Sequence, residues 1–282
     1  MSFYRSSTHE QNVLACYRKV LSQWPVPHEE QRVDTGQGRT FVVACGDPAA
    51  PPLVLLHGSL SNAAAWMFDA ALWSRTCRVY AVDMIGEAGL SAPVRPPLAS
   101  EAYATWLGEV LDGLGLAQTA MVGASLGGWL ALDFASRHPA RVTRLGLLYP
   151  SGIGRQRAFW CKALPMLLLG AWGRRRIRQW VMGTPPAPAT AAARDLLGLL
   201  ELIGRSLKPR LETVPLLGDE ALRRLSMPVW LVVGGKDMLL DSADTLRRVH
   251  QQVPHAVTRC LPEAPHYVAG QGEALLQFLS AK

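Results

Sequence analysis

Three observations predict an α/β fold: a mostly parallel sheet with helices on both faces and an inserted helical cap. Short, wholly apolar runs recur along the chain with helical patterns between them, the order that builds βα units. Most of the runs lack the apolar/polar alternation of a half-wet strand, so they suit strands covered on both faces. The alternation of elements breaks once, over residues 151–218, and resumes at Met227-Pro228. The expected organisation is therefore one body, residues 1–150 and 219–282, with residues 151–218 inserted as the cap.

Taken in order, residues 40–44 (TFVVA) alternate like a half-exposed strand. Residues 53–56 (LVLL), 79–82 (VYAV), 120–122 (AMV), 145–148 (LGLL) and 229–233 (VWLVV) form the buried strands. Helical patterns fill 63–73, 100–114, 126–137 and 243–253. Ser100 starts the second of these, and Gly113 and Gly115 end it. A weak strand at 257–261 and a helix at 273–280 close the chain. The insertion is rich in Leu, Trp, Arg and Pro, and Pro185-Pro186-Ala187-Pro188 breaks its helical stretches. No internal repeat is visible.

At 282 residues with 49% hydrophobic and 18% charged side chains, the chain can bury a sizeable core as one domain. That composition excludes disordered, collagen-like and coiled-coil classes. Cys16, Cys45, Cys77, Cys161 and Cys260 are an odd, scattered set without a CxxC pair. They argue against a disulfide framework or a zinc site and favour a reducing compartment. The first ten residues are polar, unlike a secretory signal. The most apolar window, residues 163–172, is about half the ~20 residues of a membrane helix. No membrane span and a cytoplasmic location are expected. Net charge is +7, and its location is informative. Residues 151–218 hold eleven Lys and Arg against Asp195, Glu201 and Glu212, whereas the rest of the chain is almost neutral.

Gly123-Ala124-Ser125-Leu126-Gly127 matches G-x-S-x-G. An apolar strand runs into Gly123 and a helical pattern starts at Leu126. This is the strand–turn–helix context in which a tight turn lifts a serine out of the sheet. The helix start offers free N–H groups and positive dipole to a developing oxyanion.

With this motif the chain resembles the α/β-hydrolase superfamily, and three further segments fit that resemblance. His57-Gly58-Ser59 follows the strand at 53–56, where the family places its oxyanion dipeptide. The resemblance implies the backbone N–H groups of Ser59 and Leu126 as the oxyanion donors, with His57 a turn residue. Residues 83–91 (DMIGEAGLS) resemble the family loop D-x-x-G-x-G-x-S with one extra residue before the second glycine. Asp237 follows the strand at 229–233, where the family's acid sits, and His266 in Ala264-Pro265-His266-Tyr267 matches its histidine loop. Asp241 and Asp244 are rival acids better placed for helix capping. His9, His28, His138, His250 and His255 read as surface or capping residues.

The chemistry needs these residue types. A serine hydroxyl is a weak nucleophile until a base takes its proton, and a carboxylate fixes the base's tautomer. Ser125 sets the chain apart from branches with an aspartate nucleophile. The opening Trp24-Pro25-Val26-Pro27, the Asp83 loop and Gly123 to Gly128 together are similar to small bacterial carboxylesterases. The resemblance implies a serine hydrolase that cleaves esters of small or medium apolar acyl groups through an acyl-enzyme, without metal or organic cofactor. Two alternatives stay open: a thioesterase or acyltransferase acting on a carrier- or coenzyme A-bound chain, and a non-catalytic ligand-binding relative. In the cap, Trp160, Leu164 and Leu168 offer apolar area that either lines a substrate pocket or packs the cap onto the body. The run Arg174-Arg175-Arg176-Ile177-Arg178 is either a solvated face or a rim that attracts an acidic carrier protein. Nucleic acid is not an expected partner.

Overall fold

The protein is described by a computed structural model covering residues 3–184 and 187–281. Its sheet has eight strands in the order β1-β2-β4-β3-β5-β6-β7-β8. These are β1 (His28–Thr35), β2 (Gly38–Cys45), β3 (Pro52–Leu56), β4 (Arg78–Val82), β5 (Thr119–Ala124), β6 (Val142–Leu148), β7 (Val229–Gly234) and β8 (Val257–Leu261). β2 is antiparallel to both of its neighbours, β1 and β4, and every other pair is parallel. Each apolar run of the sequence lies in one of these strands.

Both faces are covered, which explains why the runs are apolar throughout. Successive side chains leave a strand on opposite faces. In β3, Leu53 and Leu55 join one core cluster while Val54 and Leu56 join the other. The first cluster includes residues of α1 (Ser7–Leu21), α2 (Met67–Trp73) and α10 (Gly272–Ser280). The second includes α3 (Ala102–Gly113), α4 (Leu126–Arg137), α8 (Asp219–Arg223) and α9 (Ser242–Gln252). Between β6 and β7 the chain carries α5 (Phe159–Leu167), α6 (Gly170–Met182) and α7 (Ala191–Ser206). Lys19 of α1 and Gln23, just beyond its end, meet Asp195 of α7 at 2.9 and 2.8 Å. Leu196, Leu199 and Ile203 bury the inner face of α7 in the body. Among the described residues no helix is long and apolar enough to cross a membrane, and the five cysteines are free thiols.

Three local features depart from the sequence reading. β2 is not half-exposed: it is buried from Thr40 to Cys45. Tyr17 of α1 meets Phe41 edge-on at 6.3 Å, and Trp106 of α3 donates its indole N–H to Thr40 Oγ1 at 2.7 Å. The threonine is thus satisfied inside the core. α1 and β1 were not anticipated: the apolar run of α1, Val13-Leu14-Ala15-Cys16, is about one turn long in a polar segment, and β1 has none. β1 pairs only with β2 and buries only Val33, so charged side chains guard an edge instead of alternating. The helix expected over 63–73 divides into a 3-10 turn, Ala63–Trp66, and α2, with the Asn62 side chain accepting from the Ala64 N–H.

Candidate active site

From β3 the chain passes to β4 on one side and later to β5 on the other. In an open α/β sheet such a reversal opens a crevice beyond the carboxyl ends of the strands. Residues 57–59 leave β3 at this point, and Ser125 leaves β5 beside them.

Ser125 joins β5 to α4 with φ +51° and ψ −111°. A non-glycine residue held there costs about 1–3 kcal/mol and needs surroundings that over-determine it. They are provided from β6 and the residues after it: Ser125 N–H donates to Leu148 O at 3.0 Å, and Ser151 N–H donates to Ser125 O at 3.1 Å. The motif glycines follow from close backbone approach. A Cβ on Gly123 would overlap the Gly127 carbonyl, and one on Gly127 would overlap the Leu56 carbonyl.

Ser125, His266 and Asp237 meet in one hydrogen-bonded row. His266 Nε2 lies 3.0 Å from Ser125 Oγ, and His266 Nδ1 lies 2.7 Å from Asp237 Oδ2. Asp237 is 1% exposed. Its other oxygen accepts from Leu239 N–H at 2.7 Å and Leu240 N–H at 3.0 Å, so the carboxylate has no freedom to turn. With Nδ1–H donated to Asp237, Nε2 presents its lone pair to the serine hydroxyl. The serine remains half-buried, and so within reach of a ligand.

Of the two expected oxyanion donors, Leu126 is the first residue of α4, and its N–H has no partner within the helix. Ser59 is exposed in the turn after β3. That turn lies against the elbow, since a Cβ on Gly58 would stand 3.6 Å from Ser125 Cβ. His57 is buried with both ring nitrogens occupied. Nε2 accepts Met84 N–H at 3.0 Å, and Nδ1 donates to Gly58 O at 2.8 Å. Burial pushes its pKa down to about 4, so the ring is neutral. Because a peptide unit is planar with C=O and N–H opposed, this grip on Gly58 O sets the direction of the Ser59 N–H.

The loop after β4 braces the same region. Asp83 accepts from Tyr17 Oη, Ala63 N–H and Leu90 N–H, each at 2.8 Å. Burial nevertheless raises its pKa to about 6. A side chain on Gly89 would strike the Asp83 carboxylate. Ser91 Oγ donates to Asp83 O at 2.6 Å and accepts from Phe41 N–H at 2.8 Å.

The rival acids lie elsewhere: Asp241 caps α9 by accepting from Asp244 N–H, and Asp244 pairs with Arg247. His250 bonds to Thr258 at 2.9 Å and His255 to Met227 O at 3.0 Å, both away from Ser125. Leu164 and Leu168, considered as pocket lining or as cap-to-body packing, are 60% and 89% exposed. Leu164 lies on the exposed side of α5 and Leu168 caps its C-terminus, whereas Ala163 is buried. Solvent-facing side chains do neither job. The side chain of Trp160 lies outside the described residues. Helix α6 does touch the loop that carries His266, because Tyr267 N–H donates to Val181 O at 3.0 Å. One contact was missed altogether: the Tyr149 ring, at φ +40°, meets the His266 ring edge-on at 5.0 Å. Its signal was positional, since it directly follows β6, the strand between those that deliver Ser125 and Asp237.

Residues 53–278 match the model of the alpha/beta hydrolase family. The chain belongs to that family. It is 31% identical over 276 residues to carboxylesterase nap of Bacillus subtilis, covering 94% of this chain and 91% of that one. It is 30% identical over 256 residues to carboxylesterase YbfK of the same organism, covering 90% and 86%. Among solved structures, naproxen esterase of Bacillus subtilis superposes with a TM-score of 0.84 at 29% identity, over 98% of this chain and 100% of that one. Both of these Bacillus subtilis relatives carry the name carboxylesterase.

Proposed function

We propose that the protein is a serine carboxylesterase acting on esters of small to medium apolar acyl groups. The observation that carries this reading is the row Ser125–His266–Asp237 on a strained elbow beside the Gly58 turn. The names of its full-length relatives support the same chemistry. Ser125 Oγ attacks the ester carbonyl while His266 Nε2 takes its proton, and Asp237 stabilises the imidazolium that forms. The N–H groups of Ser59 and Leu126 receive the oxyanion. Collapse expels the alcohol, which takes the proton from His266 and leaves Ser125 acylated. Water, deprotonated by the same nitrogen, then releases the acid. A cytoplasmic setting belongs to this reading, since it keeps five thiols reduced.

Ser125→Ala should lower kcat/KM for short p-nitrophenyl esters by about 10⁶ without altering near-UV circular dichroism. Retention of more than about a thousandth of the activity overturns the assignment. A fluorophosphonate probe separates an enzyme from a ligand-binding relative, because the enzyme is labelled at Ser125 and turns ester over. A second reading, transfer or hydrolysis of an acyl chain on an acidic carrier protein or coenzyme A, rests on Arg174, Arg175 and Arg176. All three are exposed, and they form no ion pair among the described residues.

A further inference from the structure

The loop after β4 holds a buried acid for which the hydrolytic row has no use. Glu87 is 4% exposed, and its Oε2 accepts Leu60 N–H at 2.8 Å. Glu87 stands between Gly86 and Gly89, the stretch where this loop is one residue longer than the family pattern. Leu60 has φ +55°, in the left-handed region that a branched side chain avoids. Something must hold that turn, and Glu87 supplies the bond.

The geometry points to Glu87 as a positioning residue for the oxyanion site, fixing the turn that aims the Ser59 N–H at Ser125; this rests on the esterase reading. Ser59 lies between two peptide planes. His57 grips the first through Gly58 O, and Glu87 grips the second through Leu60 N–H. With both planes held, the Ser59 N–H has one direction available. A donor fixed before reaction needs no reorganisation as negative charge develops, which is where such groups contribute most to rate.

Two guanidinium groups favour the ionised form of this acid against its burial. Leu60 N–H, Arg95 and Arg210 all pull against the desolvation that pushes Glu87 upward. Arg95 is anchored to Gly86 O at 2.7 Å and to Lys208 O at 3.1 Å. Arg210 donates to Pro96 O, Glu212 and Tyr103 Oη. Lys208 and Arg210 belong to the segment returning from the cap. The charge that steadies the oxyanion turn is therefore partly supplied from outside the body of the sheet.

The test compares Glu87→Met, which fills the volume without an acceptor, with Glu87→Gln, which keeps one. On p-nitrophenyl butyrate, Glu87→Met should lose about 10- to 100-fold in kcat, below the 10²–10³ cost of deleting an oxyanion donor, with KM within about twofold. Its affinity for a trifluoromethyl ketone, which forms a tetrahedral adduct on the serine, should fall by the same factor. Affinity for the product carboxylate should not change. Glu87→Gln should recover most of the loss. Equal kcat per folded molecule in wild type and Glu87→Met overturns the proposal, as does a loss shared equally by adduct and product binding. Should Glu87→Met fail to fold, Glu87→Asp withdraws the carboxylate by one methylene; a fall in kcat alone supports the proposal and an unchanged kcat overturns it. Wild type that hydrolyses esters beside an inert Ser125→Ala variant keeps the esterase reading intact whatever Glu87 does.

Discussion

Gly127 of α4 lies so close to Leu56, the last residue of β3, that any Cβ at position 127 would overlap the Leu56 carbonyl oxygen. The obstacle is backbone, so it cannot rotate away as a side chain would. Gly127→Ala should therefore destabilise the protein by about 3 kcal/mol or more, the upper end for overpacking. Urea unfolding measures this, and a midpoint equal to wild type would contradict the close approach. Any folded fraction should also turn over slowly, because the displaced helix start carries the Leu126 N–H.

The assignment of the acid makes a paired prediction. Asp237→Asn should reduce kcat by about 10⁴, because an amide in place of the carboxylate turns the His266 tautomer the wrong way. Asp241→Asn should change kcat less than about twofold, since asparagine caps a helix as well as aspartate does and the Asp241 side chain caps α9 and sits 4.0 Å from Arg157. The reverse ranking would reassign the acid.

His57 gives stability a pH dependence of definite sign. Its folded pKa of about 4 lies below the ordinary 6.5. Between these values the unfolded chain binds the extra proton, so the contribution is full above pH 6.5 and is lost as pH falls toward 4. From pH 7 to pH 5 the loss is about 2 kcal/mol. Asp69 and Asp83, raised to about 6 by burial, act in the opposite sense over a similar window. The wild-type profile alone would mix the three. His57→Gln removes only the histidine part, so its stability deficit relative to wild type should shrink by about that amount between pH 7 and pH 5. A deficit independent of pH would show that His57 is not held neutral.

The basic helix α6 separates the two substrate classes. If Arg174, Arg175 and Arg176 steer an acidic acyl carrier, its kcat/KM should fall at least about tenfold between 20 and 300 mM salt. Charge reversal at the three positions should produce a similar loss. Hydrolysis of a neutral ester should change less than about twofold. Equal salt dependence for both substrates removes the carrier reading and leaves the esterase one.

The sheet was legible because parallel strands covered on both faces must be apolar at every position, as 53–56 and 229–233 are. The elbow was legible because only glycine fits at 123 and 127. β1 left no such trace: HEEQRVDT has one buried side chain and is a strand only because β2 lies beside it. β2 misled in its exposure, since Thr40 looks solvent-facing until Trp106, far along the chain, supplies its hydrogen bond. Leu164 and Leu168 misled in a different way. Apolar composition says that a helix has a greasy side, but not which side its neighbours take up. Glu87 was hidden for a similar reason, because its partner is a backbone N–H that no side-chain motif encodes.

The row of three side chains also sets an order of events. Ser125 and His266 stand 141 residues apart in the chain, and the histidine loop is positioned by β8, which pairs with nothing but β7. A nascent chain can lay β3, β4, β5 and β6 together and raise the serine on its elbow while the base is still unmade. Until β8 docks, Ser125 Oγ lacks its hydrogen-bond partner His266 Nε2. On the proposed mechanism, a chain that still lacks β8 and the loop after it carries Ser125 without the base that would take its proton.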